Sequence, residues 1–88
     1  MGGDKVWEYK DQSVINFPLG ITVDNSSNLY IASNGNNNIV VLSSDGQRCR
    51  TLLTQKDGII EPWGLYCDKR KNRLLVGNYH GLAMLFNM

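Results

Sequence analysis

The sequence predicts an all-β fold of two four-stranded antiparallel sheets in tandem, the second lacking its outer strand. A repeat carries this first: Phe17-Pro18-Leu19-Gly20-Ile21-Thr22-Val23-Asp24 returns 44 residues later as Glu61-Pro62-Trp63-Gly64-Leu65-Tyr66-Cys67-Asp68. A period between about 20 and 50 residues marks a solenoid, propeller or array whose single unit cannot bury its own apolar face. Short apolar runs divided by turn chemistry come second, because Asn-Gly and Asp-Gly favour positive φ and join neighbouring strands antiparallel. Third, Ile39-Val40-Val41-Leu42 and Leu74-Leu75-Val76 are continuously apolar. A sheet with one wet face would alternate instead, so both faces must be covered. The connections are short and show no helical period, so sheet must cover sheet.

Taken in order, Lys5-Val6-Trp7-Glu8-Tyr9-Lys10 alternates apolar with charged residues and reads as the last strand of a preceding unit. Strands follow over residues 19–23, 28–33, 38–43 and 48–54, then over 63–67, 73–78 and 82–86. Type I′ hairpin turns are expected at the Asn-Gly and Asp-Gly steps. Residues 47–56 suit a short helix by propensity, yet Cys49, Thr51 and Leu53 alternate against Arg48, Arg50 and Leu52, which favours an outer strand. Residues 1–16 are thus expected to hold the end of a preceding blade or an N-terminal strand, 17–56 the first blade, and 57–88 the second.

Composition narrows the function classes. A net charge of +1 over 88 residues does not suggest a polyelectrolyte partner. Residues 48–73 carry a modest basic bias, with Arg48, Arg50, Lys56, Lys69, Arg70, Lys71 and Arg73 set against Asp57, Glu61 and Asp68. No apolar run approaches a membrane span, and Met1-Gly2-Gly3-Asp4 lacks a signal peptide's apolar core. A cytoplasmic chain without membrane contact is expected. Val6 breaks the myristoylation pattern, which needs Ser or Thr there. Two cysteines fall short of a disulfide scaffold, and Cys67, standing where the first repeat has Val23, reads as a buried reduced thiol.

The stretch Pro18-Leu19-Gly20-Ile21-Thr22-Val23-Asp24, then Asn28-Leu29-Tyr30-Ile31-Ala32, then Asn34-Gly35-Asn36-Asn37-Asn38-Ile39-Val40-Val41-Leu42, then Asp45-Gly46 resembles the NHL repeat. That repeat is the blade of the β-propellers found in tripartite-motif (TRIM) ubiquitin ligases and related proteins. The second copy matches more loosely, with the shorter hairpin Asn78-Tyr79-His80-Gly81. The resemblance implies about two blades of an incomplete β-propeller. Pro18 and Pro62, lacking an amide donor, mark where strands begin, while Gly20 and Gly64 permit close backbone approach near a propeller axis. Asp24 and Asp68 stand at turns where a carboxylate can accept backbone N–H groups.

The same resemblance implies a non-catalytic interaction module, plausible as the substrate-recognition end of a TRIM-type ligase. Any ligase chemistry would belong to a RING domain that this sequence does not contain. A protein partner is expected first and RNA second, beside further blades or self-association through open edges. The loops expected to face a partner supply Asn34, Asn36, Asn37, Lys56, Trp63, Tyr79 and His80 as candidate binding residues. Trp63, which replaces Leu19 of the first copy, is expected to point into the blade interface, with the axial face as the alternative. The basic turn Lys69-Arg70-Lys71-Asn72-Arg73 would open on the opposite end, which leaves Lys56 and His80 beside Tyr79 and Trp63 for an RNA reading. A third reading is a gluconolactonase-like, metal-dependent propeller enzyme. With His80 the single histidine and no nucleophile beside it, neither catalytic nor metal-binding residues are assigned and no cofactor is expected. Asp24-Asn25-Ser26-Ser27-Asn28 lacks the Gly and Glu of a calcium loop and reads as a hairpin turn.

Overall fold

The computed structural model describes residues 3–11 and 13–88. A four-stranded sheet runs β1 (Pro18–Val23), β2 (Leu29–Ser33), β3 (Asn38–Leu42) and β4 (Cys49–Leu53) in spatial order. A three-stranded sheet follows with β5 (Gly64–Asp68), β6 (Arg73–Gly77) and β7 (Ala83–Asn87). Every neighbouring pair is antiparallel. The chain is an all-β, incomplete β-propeller of two blades, the second without a fourth strand.

Local chemistry sets the turns. After β1, the Asp24 carboxylate accepts the N–H groups of Ser26 (2.8 Å) and Asn28 (3.0 Å), and Ser27 takes the left-handed conformation. After β5, Asp68 accepts from the N–H groups of Arg70 and Lys71, and Asn72 is left-handed. These side-chain acceptors substitute for the ladder where the chain reverses. The Asn34-Gly35 step corrects a sequence expectation. It is no type I′ turn but a 3-10 turn over Asn34–Asn36, with Asn37 left-handed at its end. Gly35 is needed there for space, since a Cβ would fall 2.9 Å from the Asn16 side chain.

Strand register decides which side chains face which layer. Thr22, Tyr30 and Val41 lie across from one another on one face, as do Gly20, Ala32 and Ile39. That face buries Tyr30, Ala32, Ile39 and Val41 against Leu74 and Val76 of the second sheet, with Ile59 wedged between them from the connecting loop. Ile39, Ile59, Leu74 and Val76 are fully buried, and each such side chain contributes about 1.5–3 kcal/mol relative to exposure. Cys67 is also buried, and both cysteines are free. The continuous apolar run of β3 is explained by its other face: Val40 and Leu42 join Ile31 under Trp7, Tyr9, Val14 and Ile15.

That covering layer is a second correction. Residues 5–10 form no strand and join neither sheet. The alternation that suggested a ladder instead turns Trp7 and Tyr9 inward onto the first sheet while Lys5, Glu8 and Lys10 stay at the surface and ion-pair. Trp7 also lies over Gly46, and its indole N–H donates to the Ser44 carbonyl at 3.2 Å.

The repeat itself changes step. Gly20 pairs with Ala32 but Gly64 pairs with Gly77, so beyond the first turn of each blade the structural equivalence is 45 residues rather than 44. Ser33 therefore corresponds to Asn78. Both are buried polar residues that hold the segment entering their own blade. The Ser33 hydroxyl accepts from the Asn16 N–H (2.8 Å) and donates to the Asn16 carbonyl (3.1 Å). Among the described residues no helix is long and apolar enough to cross a membrane.

Candidate functional site

Three loops meet at one end of the stacked sheets: Asn34–Asn37 between β2 and β3, residues 54–62 between the blades, and 78–82 between β6 and β7. Polar side chains rather than apolar packing tie them together. The Asn37 side-chain oxygen accepts the Glu61 N–H at 2.8 Å, and the Asn34 amide donates to the Pro62 carbonyl at 3.3 Å. Asn78 serves as the hub: its Oδ1 accepts from the Ile60 N–H (2.9 Å) and its Nδ2 donates to the Gly58 carbonyl (2.8 Å). The Tyr79 N–H donates to the Ile60 carbonyl at 3.0 Å. Thr54 and Asp57 close a reciprocal capping box on the short 3-10 turn Gln55–Asp57, which carries Lys56.

The aromatic candidates stand on this frame. The Trp63 indole N–H donates to the Asn78 carbonyl at 2.7 Å, and its ring lies over Gly77, where a Cβ would come within 2.8 Å. Trp63 therefore does not enter the interface between the blades, as the sequence had suggested. It covers the second sheet's outward face and stays 54% exposed. Tyr79 and His80 stack with ring centroids 3.9 Å apart, tilted by 47°. Tyr79 is half exposed, and His80 sits at the tip of the turn with φ 63°. Phe17, Asn37 and Glu61 also hold positive φ around this end, a conformation that costs non-glycine residues free energy and collects at binding and switch sites.

Asn34, Asn37, Trp63, Tyr79 and His80 are thus assembled around residues 58–62. Asn36 turns the other way, and its amide donates to the Ser13 carbonyl at 3.4 Å. Sequence reasoning missed Asn78, the residue that fixes the platform. The available signal was a polar side chain closing the apolar run of β6, at the position where β2 closes on Ser33. It also missed the exposed Ile60 and Leu82 beside the aromatic pair.

Positive charge gathers at the opposite end. There the Asn25 amide donates to the Lys69 carbonyl at 3.2 Å, joining the turns that follow β1 and β5. Arg48, Arg50, Lys69, Arg70, Lys71 and Arg73 belong to this end, and none forms an ion pair among the described residues. Asp24 sits nearby beneath Tyr30, whose hydroxyl donates to its Oδ2 at 2.9 Å. Burial pushes the Asp24 carboxyl up, but hydrogen bonds from Asn28, Tyr30 and Ser26 outweigh it and hold the group below its ordinary value. Burial, reinforced by that carboxylate, pushes the Tyr30 phenol up to about 12. Among the described residues no cluster of three His, Cys, Asp or Glu side chains could hold a metal ion.

Two stacked antiparallel sheets, joined by short loops at both ends, define the class of protein as propeller-like. A solved structure of virginiamycin B lyase from Staphylococcus aureus, in its selenomethionine form, matches with a TM-score of 0.50 and 17% identity over 81% of this chain. The chain spans only 27% of that protein's length. Comparison with protein-family models and with curated proteins returns no match. The similarity establishes the fold. It also corrects one expectation from the sequence: the assignment of the chain as no enzyme does not stand, because the structural neighbour is itself a lyase. At this identity the match assigns no catalytic activity to these residues.

Proposed function

We propose that the chain is the interaction part of an NHL-type propeller, presenting the loop end around Asn78 to a protein partner. One observation carries the reading. Tyr79 and Trp63 stand half exposed on a frame whose loops are already bonded across both blades, so contact area is offered at little ordering cost. Exposed aromatic side chains on preordered loops are the usual anchors of protein recognition. Asn34 and Asn37 act as structural ties within this end, while Tyr79, His80, Ile60 and Lys56 supply the contact surface. In a TRIM-type ligase the partner would be the protein to be ubiquitinated.

The test is a peptide-library selection on the immobilised full chain, followed by affinity measurement of the retained ligands. Tyr79→Ala is expected to weaken binding by about tenfold or more, the loss typical of a central aromatic anchor. Lys71→Ala, at the opposite end, should leave it unchanged. A ligand indifferent to Tyr79→Ala would refute the reading. RNA offered to the same chain, bound with an affinity that falls steeply with salt and is abolished by Lys56→Ala plus Tyr79→Ala, would assign the end to RNA instead.

A further inference from the structure

The interface made once inside this chain leaves a partly open face at each end of the stack, one with Trp63 over its Gly77 and the other with residues 7–15 over its centre. The first sheet presents Gly20, Thr22, Tyr30, Ala32, Ile39 and Val41 to the second sheet and is buried by it. The equivalent outward face of the second sheet carries Gly64, Tyr66, Leu75, Gly77, Ala83 and Leu85, aligned by strand register. Trp63 lies over it at Gly77, and the rest stands open among the described residues: Tyr66 is 63%, Leu75 40% and Leu85 52% exposed. At the other end, the first sheet's far face is only partly covered. A cavity of about 410 Å³ remains there between Trp7 and Tyr9 and the strand residues Leu29 and Ile31. On its rim Leu19 is 48% and Ile21 62% exposed. Apolar side chains clustered on one sheet face in this way gain from being covered.

Gly64 points to what covers the second sheet. A Cβ on Gly20 would lie 2.9 Å from the Gly64 Cα, because the second sheet presses its backbone against that face. A Cβ on Gly64 would meet nothing within 4 Å. The glycine at 20 is required by the neighbouring blade, whereas the one at 64 faces no such neighbour among the described residues.

We infer that copies of this chain associate head to tail, the Tyr66-Leu75-Leu85 face of one seating on the Leu19-Ile21 face of the next, and close into a ring. The internal interface supplies the template, since it already joins an outward face of this kind to an inward face equivalent to that of the first sheet. Such a contact is heterologous, and a heterologous contact either closes or runs on as a filament. Propellers close with roughly four to eight blades, so two-bladed copies close with two to four of them. Three strands at ordinary spacing and five residues of rise give a face of about 14 by 17 Å. That is well below the ~800 Å² per partner of a standard interface, so each contact is weak and the assembly depends on concentration. The inference rests on the sheet faces and shares Trp63, which lies over Gly77, with the loop-end reading.

The experiment is sizing with light scattering and native mass spectrometry on the full chain over a range of concentrations. A discrete species of two to four copies is expected. Leu75→Arg and Ile21→Arg should each give monomers with unchanged sheet content by circular dichroism. Mixed in equal amounts they should form a heterodimer and nothing larger, because each retains one intact face. Gly64→Ala serves as a variant that leaves the single chain undisturbed: its unfolding midpoint as a monomer should not move, while its assembly should weaken by about tenfold, as expected for an added methyl group at a tight contact. A wild-type monomer at every concentration would overturn the inference. So would a dimer that survives Ile21→Arg, which signals an isologous contact, or assembly indifferent to Gly64→Ala.

Discussion

Gly20 and Gly64 meet across the two blades, the Cα of Gly64 lying 2.9 Å from where a Gly20 Cβ would stand. The two positions are equivalent in the repeat, yet among the described residues only a Cβ at Gly20 would meet another group within 4 Å. Gly20→Ala is therefore expected to destabilise the chain by about 1–3 kcal/mol, the ordinary cost of forcing a methyl group into a packed contact with backbone. Gly64→Ala should fall within about 0.5 kcal/mol of wild type in the monomer. Urea midpoints of the two variants check this, and equal effects would contradict the geometry.

Asn78 bonds both to the Ile60 N–H and to the Gly58 carbonyl while almost wholly buried. Asn78→Ala leaves those two backbone groups without a partner, which costs about 1–3 kcal/mol for each buried group that stays dry. The expected outcome is a lower unfolding midpoint together with faster amide exchange at Ile60. Retained protection at Ile60 would show that water replaces the side chain.

Asp24 and Tyr30 set opposite limbs of the pH profile. The Asp24 carboxyl is depressed, because hydrogen bonds outweigh the effect of burial. Its stabilisation is therefore complete above the ordinary carboxylate value of about 4 and disappears as pH falls through the lower folded value. Asp24→Asn should flatten that acid limb. Burial and the Asp24 carboxylate raise the Tyr30 phenol to about 12. Its contribution is full below about 10, the unfolded value, and is lost as pH rises toward the folded one. Thermal melts across pH, with an ultraviolet titration of the phenols, measure both limbs. A phenol titrating only at the unfolded value would contradict the Tyr30 environment.

Cys67 is buried, and burial followed by the Asp24 charge pushes its thiol up, whereas Cys49 is half exposed. Thiolate is the reacting form. Alkylation of the native protein should therefore mark Cys49 well before Cys67, with Cys67 reacting on unfolding. Peptide mapping after timed alkylation reads the order, and equal rates would place Cys67 at the surface.

Much of this was legible in the sequence. Seven strands lie close to where apolar runs and turn residues predicted them, because side-chain alternation and turn chemistry act within a few residues. The outer strand β4 was likewise found by its alternation, and the single disputed segment resolved to strand plus a short 3-10 turn. Residues 5–10 misled for a physical reason. An alternating pattern reports one apolar side, and Trp7 and Tyr9 satisfy that pattern by lying on a sheet as well as by joining one. Trp63 misled similarly, since its size predicts burial but not which face of the blade it covers.

By itself, the sequence determined the strand content, the two-blade repeat and the turn carboxylates Asp24 and Asp68, all of them set by contacts between near neighbours in the chain. Tertiary structure alone decided that Asn78 holds the loop end, that Trp63 covers Gly77, and that a Cβ at Gly20 would press on the second sheet while one at Gly64 would meet no described residue. Those relationships depend on how one sheet lies against the other, and a single turn longer by one residue shifts the repeat from 44 to 45 and so sets which side chains of β6 face the core.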